Sequence, residues 1–220
     1  MKSQGCTIYA IEGIPSAGKT TLLNGLRERN ENQNSLLERK IIFVDEPLTL
    51  WERIVDEEGV NLIVNYYKNT RKFAFPFQMA ACISRYAALR KAVEENPGDI
   101  IVMERSLLAD RYVFATMLRD SGDIEQINFH IYLEMYNIFA ADYPINGVIF
   151  MNTAPEECHN RMRIRARPGE ESVSLEYLQV CSRYQSEMLN KDSAECVCQT
   201  QLVLESNTTN MVDKVFEFIS

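Results

Sequence analysis

Short apolar runs alternate with helical stretches along the whole chain. Thr7-Ile8-Tyr9-Ala10-Ile11 reads as a buried strand, and so do Ile41–Val44, Ile100–Met103, Gly147–Met151 and Gln201–Leu204. Between them apolar residues recur at helical spacing. Leu22, Leu23 and Leu26 mark a helix from Lys19 to about Arg29. The stretch from Leu50 to about Asn96 is mostly helical in pattern, with Pro76 and the Asn96-Pro97-Gly98 turn as punctuation. Two helices, Leu107–Arg119 and Ile124–Ala141, flank Asp120-Ser121-Gly122-Asp123. Pro155 opens another helix, at a position where proline is favoured. A further helix starts at about Leu175, and Met211–Ile219 closes the chain. This alternation predicts an α/β fold: a five-stranded parallel sheet flanked by helices on both faces, joined by right-handed crossovers. No repeat, low-complexity tract or linker divides residues 1–220, so one domain is expected.

Composition narrows the partners. The 46% hydrophobic content suits a sizeable core. With 23 Lys+Arg against 31 Asp+Glu, the net charge is −8. A global basic footprint for nucleic acid is therefore absent, and any anion site must be local. Six cysteines are scattered, and Cys196 and Cys198 lack zinc or redox spacing. Cys158-His159 and His130 complete no ligand set. Reduced, partly buried thiols of a cytoplasmic protein are expected. No apolar run is long enough for a membrane span, and the N-terminus leads almost directly into the first strand, so no membrane anchor or leader is expected.

The sharpest motif is Gly13-Ile14-Pro15-Ser16-Ala17-Gly18-Lys19-Thr20, followed by Thr21. Two glycines permit a tight turn whose backbone N–H groups cradle phosphate oxygens. The next helix adds its positive end. Lys19 can reach the terminal phosphates, and the Thr20 hydroxyl can hold Mg²⁺. A strand before and a helix after are the context this P-loop requires, which makes an ordinary glycine turn the weaker explanation.

Two more strands end in charge: one runs into Asp45-Glu46-Pro47, the other into Glu104-Arg105-Ser106. In open α/β sheets ligands gather at the carboxyl ends of strands. Phosphorylating a hydroxyl requires its proton to leave, so a carboxylate base is useful. Glu46 is the candidate base, Arg105 can stabilise the transferring charge, and Glu104 can help hold the metal.

The combination resembles the deoxynucleoside kinase family, and within it the deoxyguanosine and deoxycytidine kinases. The motifs are the phosphate loop, Glu46-Pro47 with Trp51, Tyr67 before Phe73-Ala74-Phe75-Pro76-Phe77-Gln78, Glu104-Arg105-Ser106, and the run Arg161–Arg167. The resemblance implies that Glu46 is the base for the 5′-hydroxyl and that Gln78 reads the nucleobase through its amide. It makes Trp51 and Phe77 walls of the base pocket and Tyr67 a contact of the 3′-hydroxyl. Taken alone, such aromatics would more often be core. Arg85 and Asp110 resemble the pair carried by purine- and cytosine-using members, where thymidine-accepting members have smaller or apolar residues. A buried salt bridge between two helices would explain the same two residues.

Arg161, Arg163, Arg165 and Arg167 would ordinarily be a solvated basic surface. In the family they resemble an Arg-rich lid, with Arg165 and Arg167 over the phosphates and Arg161 near the adenine; Arg163 has no counterpart. Pro168-Gly169 departs from the family pattern. An ungapped match makes Glu170 the 3′-hydroxyl contact, and a one-residue shift makes it Glu171. The implied reaction is phosphoryl transfer from ATP, or another NTP, with Mg²⁺, to a deoxynucleoside 5′-hydroxyl, by a homodimer. A nucleoside monophosphate kinase would leave Glu46 and Gln78 unexplained, and a GTPase would need an Asn-Lys-x-Asp motif. The remaining alternatives are a broad-specificity or thymidine-preferring kinase and a non-catalytic nucleotide-binding subunit on the same fold.

Overall fold

A computed structural model describes residues 3–32, 39–140, 142–190, 198 and 200–220. Five strands form one sheet: β1 (Thr7–Glu12), β2 (Ile41–Val44), β3 (Ile100–Glu104), β4 (Gly147–Asn152) and β5 (Thr200–Glu205), in the order β2-β3-β1-β4-β5. All four pairings are parallel. Period-two alternation divides the strands between two cores. Ile100, Val102, Ile11 and Ile149 face one side, with Leu22, Leu23 and Leu26 of α1 (Lys19–Asn32). Ile101, Met103, Ile8 and Val148 face the other. Both faces being covered explains why these strands read as continuous apolar runs.

The helical stretch after β2 is three helices: α2 (Leu48–Arg53), α3 (Leu62–Lys68) and α4 (Thr70–Glu95). A bridge between Val55 and Asn61 interrupts it. Asp56 Oδ1 accepts the N–H groups of Glu58 and Val60, turning the chain there. Asn61 then caps α3 and Asn69 caps α4, each through its side-chain oxygen. Pro76 does not punctuate as the sequence suggests; it lies inside the 26-residue α4. One lost backbone bond is tolerated where the surrounding helix is packed along both of its ends.

Leu107–Arg119 is also not a plain helix. It divides into α5 (Leu107–Ala109), a π-helical segment (Asp110–Ala115) and α6 (Thr116–Asp120). After it come α7 (Gln126–Ala140), α8 (Pro155–Arg165), a 3₁₀ turn (Glu170–Ser172), α9 (Leu175–Leu189) and α10 (Met211–Ile219). Ala141 and Cys196 lie outside the described residues. The carboxyl ends of β1, β2 and β3 open together on one edge of the sheet, and α4 brings Gln78 and Arg85 to that edge.

Candidate active site

A cavity of about 630 Å³ lies at this edge. Its lining takes Pro15–Thr21, Glu46, Trp51, Tyr67, Phe77, Gln78, Arg85, Glu104, Arg105, Asp110, Arg161, Arg165, Arg167 and Glu170. Of the residues expected from sequence, only Gly13 and Ile14 stand outside it. They shape the loop from behind. A Cβ on Gly13 would sit 3.0 Å from the Met151 carbonyl oxygen, so only glycine lets the loop pass β4. The Ile14 carbonyl accepts a hydrogen bond from Lys19 Nζ at 3.1 Å.

On the phosphate side, the Thr20 hydroxyl lies 2.9 Å from each Glu104 carboxylate oxygen. Among the described residues no cluster of three or more His, Cys, Asp or Glu could hold a metal. A hydroxyl beside one carboxylate is instead the donor set suited to Mg²⁺, which takes its other ligands from water and phosphate. Burial, with Arg105 nearby, pulls the Lys19 ammonium down to about 8, against the opposing pull of Glu104, Glu46 and Glu12. Arg161 Nη1 and the Thr153 hydroxyl both donate to the Ala17 carbonyl, at 3.1 and 3.0 Å, and hold α8 against the loop.

Glu46 stands at the centre. Its Oε1 accepts Arg85 Nη2 at 3.2 Å and Arg105 Nε at 3.4 Å. Burial pushes this carboxyl up, but Arg85, Arg105 and Lys19 together outweigh burial and bring it down to about 2. Arg85 is 2% exposed and uses every nitrogen: Nε and Nη2 bond Asp110 at 2.9 and 3.4 Å, and Nη1 bonds the Glu104 carbonyl at 3.0 Å. Burial works against the Arg85 charge, yet Asp110 and Glu46 more than restore it. The pair is thus both a salt bridge between two helical elements and part of the cavity wall. Asp110 opens the π segment, a distortion that recurs at functional sites.

The far end is aromatic. Trp51 is 5.3 Å from Phe77 edge to face, and Phe77 stacks on Tyr66 at 4.6 Å. Trp51 Nε1 donates to the buried Ser84 hydroxyl at 2.9 Å, fixing the indole. Gln78 is 2% exposed, and its Oε1 is buried without a hydrogen-bond partner. An orphaned amide oxygen facing a cavity costs free energy until a ligand donor meets it.

The arginine segment closes the other wall. Arg165 Nη2 donates to both Glu170 oxygens at 2.6 and 2.8 Å, and Arg167 approaches the same carboxylate at 3.7 Å. Glu170 is buried and Glu171 exposed, which places Glu170 at the cavity. Gly169 allows this turn. Its φ is +90°, and a Cβ there would lie 3.1 Å from Val64 Cα. Arg163 is exposed and joins no wall.

Sequence reasoning missed Tyr66, Tyr177, Ser206, Met211 and Val212, all of which line the cavity. Ser206 follows β5 directly, so the same strand-end rule would have found it. Tyr66 and Tyr177 sit at helical core spacing and carry no such signal. Glu12, at the end of β1, was also missed.

A glycine-cornered phosphate loop, a buried lysine and a carboxylate held between two arginines define a P-loop phosphotransferase. The sequence profile described as deoxynucleoside kinase matches residues 9–219. A Fowlpox virus (strain NVSL) protein described as a probable deoxycytidine kinase is 35% identical over 186 residues, covering 81% of this chain and 72% of its own. Human deoxycytidine kinase is 28% identical over 251 aligned positions, covering 99% of this chain and 94% of its own. The mitochondrial deoxyguanosine kinase of Xenopus laevis is 26% identical over 204 residues, covering 84% and 74%. The chain belongs to the deoxynucleoside kinase family, and is an ATP-dependent phosphotransferase that phosphorylates deoxynucleosides.

Proposed function

We propose that this kinase serves nucleotide salvage by transferring the γ-phosphoryl group of ATP to the 5′-hydroxyl of deoxycytidine or a purine deoxynucleoside, in preference to thymidine. The observation that carries the preference is the buried Arg85–Asp110 pair in the wall shared with Gln78. The pair takes up space that a thymine 5-methyl would need, and its guanidinium presents donors to acceptors on a base edge. Gln78 offers a two-point amide contact to the same base. Trp51 and Phe77 form an aromatic wall against which the base packs, and Tyr67 with Glu170 receive the 3′-hydroxyl. A kcat/KM series over the four deoxynucleosides with radiolabelled ATP tests the reading. Thymidine is expected to rank last, and thymidine ranking first would overturn it.

Glu46 is the base. A carboxylate near 2 is ionised at every working pH and is a weak base. It accepts the hydrogen bond of the 5′-hydroxyl and takes the proton as the new O–P bond makes that hydroxyl acidic. Arg105, Lys19 and the backbone of Gly13–Thr20 bind the phosphates. Thr20 and Glu104 would hold Mg²⁺, which supplies charge neutralisation at the transferring group. Arg161, Arg165 and Arg167 act as a lid, with Arg165 and Arg167 on the phosphates.

Lys19 gives a pH signature. It is charged below about 8 and loses its charge above it in the free enzyme. The kcat/KM for ATP is therefore expected to fall as pH rises past 8, approaching about tenfold per unit. ATP raises the lysine pKa, so the limb in kcat moves to higher pH. A kcat/KM profile flat from pH 7 to 10 would remove Lys19 charge from donor binding.

A homodimer and a cytoplasmic location complete the reading. Ile127, Ile131 and Ile138 are 64%, 45% and 63% exposed on α7, at helical spacing along one face. Such a row fits a surface covered by a second copy. Replacing Ile131 with Glu is expected to shift the protein to monomer in analytical ultracentrifugation. Among the described residues Cys6, Cys82, Cys158 and Cys181 are free, buried thiols, which suits a reducing compartment, and no helix among the described residues is long and apolar enough to cross a membrane.

A further inference from the structure

Glu12 is the last residue of β1, next to the phosphate loop, and it is completely buried. It does not line the cavity. Its Oε1 accepts the Ser106 backbone N–H at 2.8 Å and the Ser106 hydroxyl at 2.5 Å. Its Oε2 is buried with no partner. Arg105 Nη1 is likewise buried with no hydrogen-bond partner, and the Arg105 ion pair goes to Glu46 rather than to Glu12. Burial pushes the Glu12 carboxyl up, and the Arg105 charge is the strongest pull against that. Arg105 also has a φ of +65°, a left-handed conformation that costs a non-glycine residue about 1–3 kcal/mol and persists only where neighbours enforce it. One enforcing contact is its own N–H, which donates to the Ile11 carbonyl at 2.9 Å. The other is the clamp on the next residue, Ser106.

We propose that Glu12 is a positioning residue: by clamping Ser106 through both its backbone N–H and its hydroxyl, it holds the left-handed turn at 104–106 in register with the phosphate loop, so that Arg105 points at the transferring phosphoryl group. The inference rests on the reading of Arg105 given above. It accounts for a buried acid that stands outside the cavity lining and that an apolar side chain would replace at lower desolvation cost. A relaxed Arg105 backbone would swing the guanidinium away from Glu46 while leaving the base pocket of Trp51 and Gln78 in place.

The test is a double-mutant cycle in kcat, with KM and thermal melting recorded for each variant. Glu12→Gln keeps one acceptor for Ser106 but weakens the two-bond clamp and removes the negative charge that Arg105 acts on. We expect kcat to fall about 10–100-fold with nucleoside KM within about twofold, and the loss to shrink below about threefold on an Arg105→Ala background. Equal losses on both backgrounds, or a loss matched by the fraction unfolded, would overturn the proposal. Arg105→Ala alone separates the two readings: unchanged kcat there sinks the role of Arg105 itself. Ser106→Ala removes only the hydroxyl contact and should repeat the pattern more weakly. If Glu12→Gln fails to fold and Ser106→Ala keeps full kcat, Glu12 is a folding residue and the proposal fails.

Discussion

Replacing Glu46 with glutamine is expected to lower kcat by about 10²–10⁴-fold with the fold intact. The amide is nearly isosteric but cannot take a proton. It also removes the only negative charge on Oε1, which Arg85 and Arg105 share. Arg85 keeps Asp110, so its position survives. Arg105 loses its carboxylate partner, and part of the decline comes from that. Nucleoside KM should change little, because Trp51, Gln78 and Tyr67 are untouched. Steady-state kinetics with a thermal melt checks this, and an unchanged kcat would remove Glu46 from the mechanism. The acid limb of the wild-type profile carries the same information. Since Glu46 is held near 2, no loss of activity between pH 5 and 7 should come from its protonation.

The second large effect concerns the buried pair. Arg85→Met alone leaves Asp110, 2% exposed, without a counter-ion. Breaking a buried pair from one side costs about 3–5 kcal/mol, whereas removing both charges is often near neutral. The double variant Arg85→Met/Asp110→Ala should therefore be more stable than the single one in urea titration. It should also raise kcat/KM for thymidine relative to purine deoxynucleosides by roughly tenfold or more, as methyl-sized changes in a pocket do. A recovered stability with an unmoved ratio would make the pair purely structural. Both variants should lose some kcat as well, because Arg85 Nη2 donates to Glu46 Oε1 and helps fix the position of the base.

Much of this architecture was legible because buried parallel strands are written as unbroken apolar runs. Strands β1 to β4 were readable that way. The edge strand β5, with only Leu204 buried, showed through the short run Leu202–Leu204, and the acids at the ends of β2 and β3 pointed to the site. What escaped did so for physical reasons. The break at Ile54–Asn61 depends on an Asp56 side chain turning back on its own backbone, in a segment whose charges read as helical surface. The π segment at Asp110–Ala115 differs from an α-helix in hydrogen-bond register alone, and residue spacing does not distinguish the two. Pro76 signals a break only if packing does not hold the helix around it. Glu12 was hidden because the apolar run of β1 ends at Ile11, although the rule applied to the other strands fits it equally. Of the two acids that follow the left-handed Gly169, Glu170 is buried and Glu171 exposed, a difference that residue spacing does not carry.

The cavity also has a consequence for molecular traffic. Lys19, Arg85, Arg105, Arg161, Arg165 and Arg167 outnumber the carboxylates of Glu46, Glu104, Asp110 and Glu170 on its walls, in a chain whose net charge is −8. A polyanion such as ATP is repelled by the molecule as a whole and attracted only within about 10 Å of this opening, the screening length at 0.1 M salt. The net negative exterior thus discourages nucleotides from loitering on it, while this gate carries the opposite sign. Neutral deoxynucleosides feel neither field, so the two substrates find the same chamber by different routes: one guided by charge at the last moment, the other by shape alone.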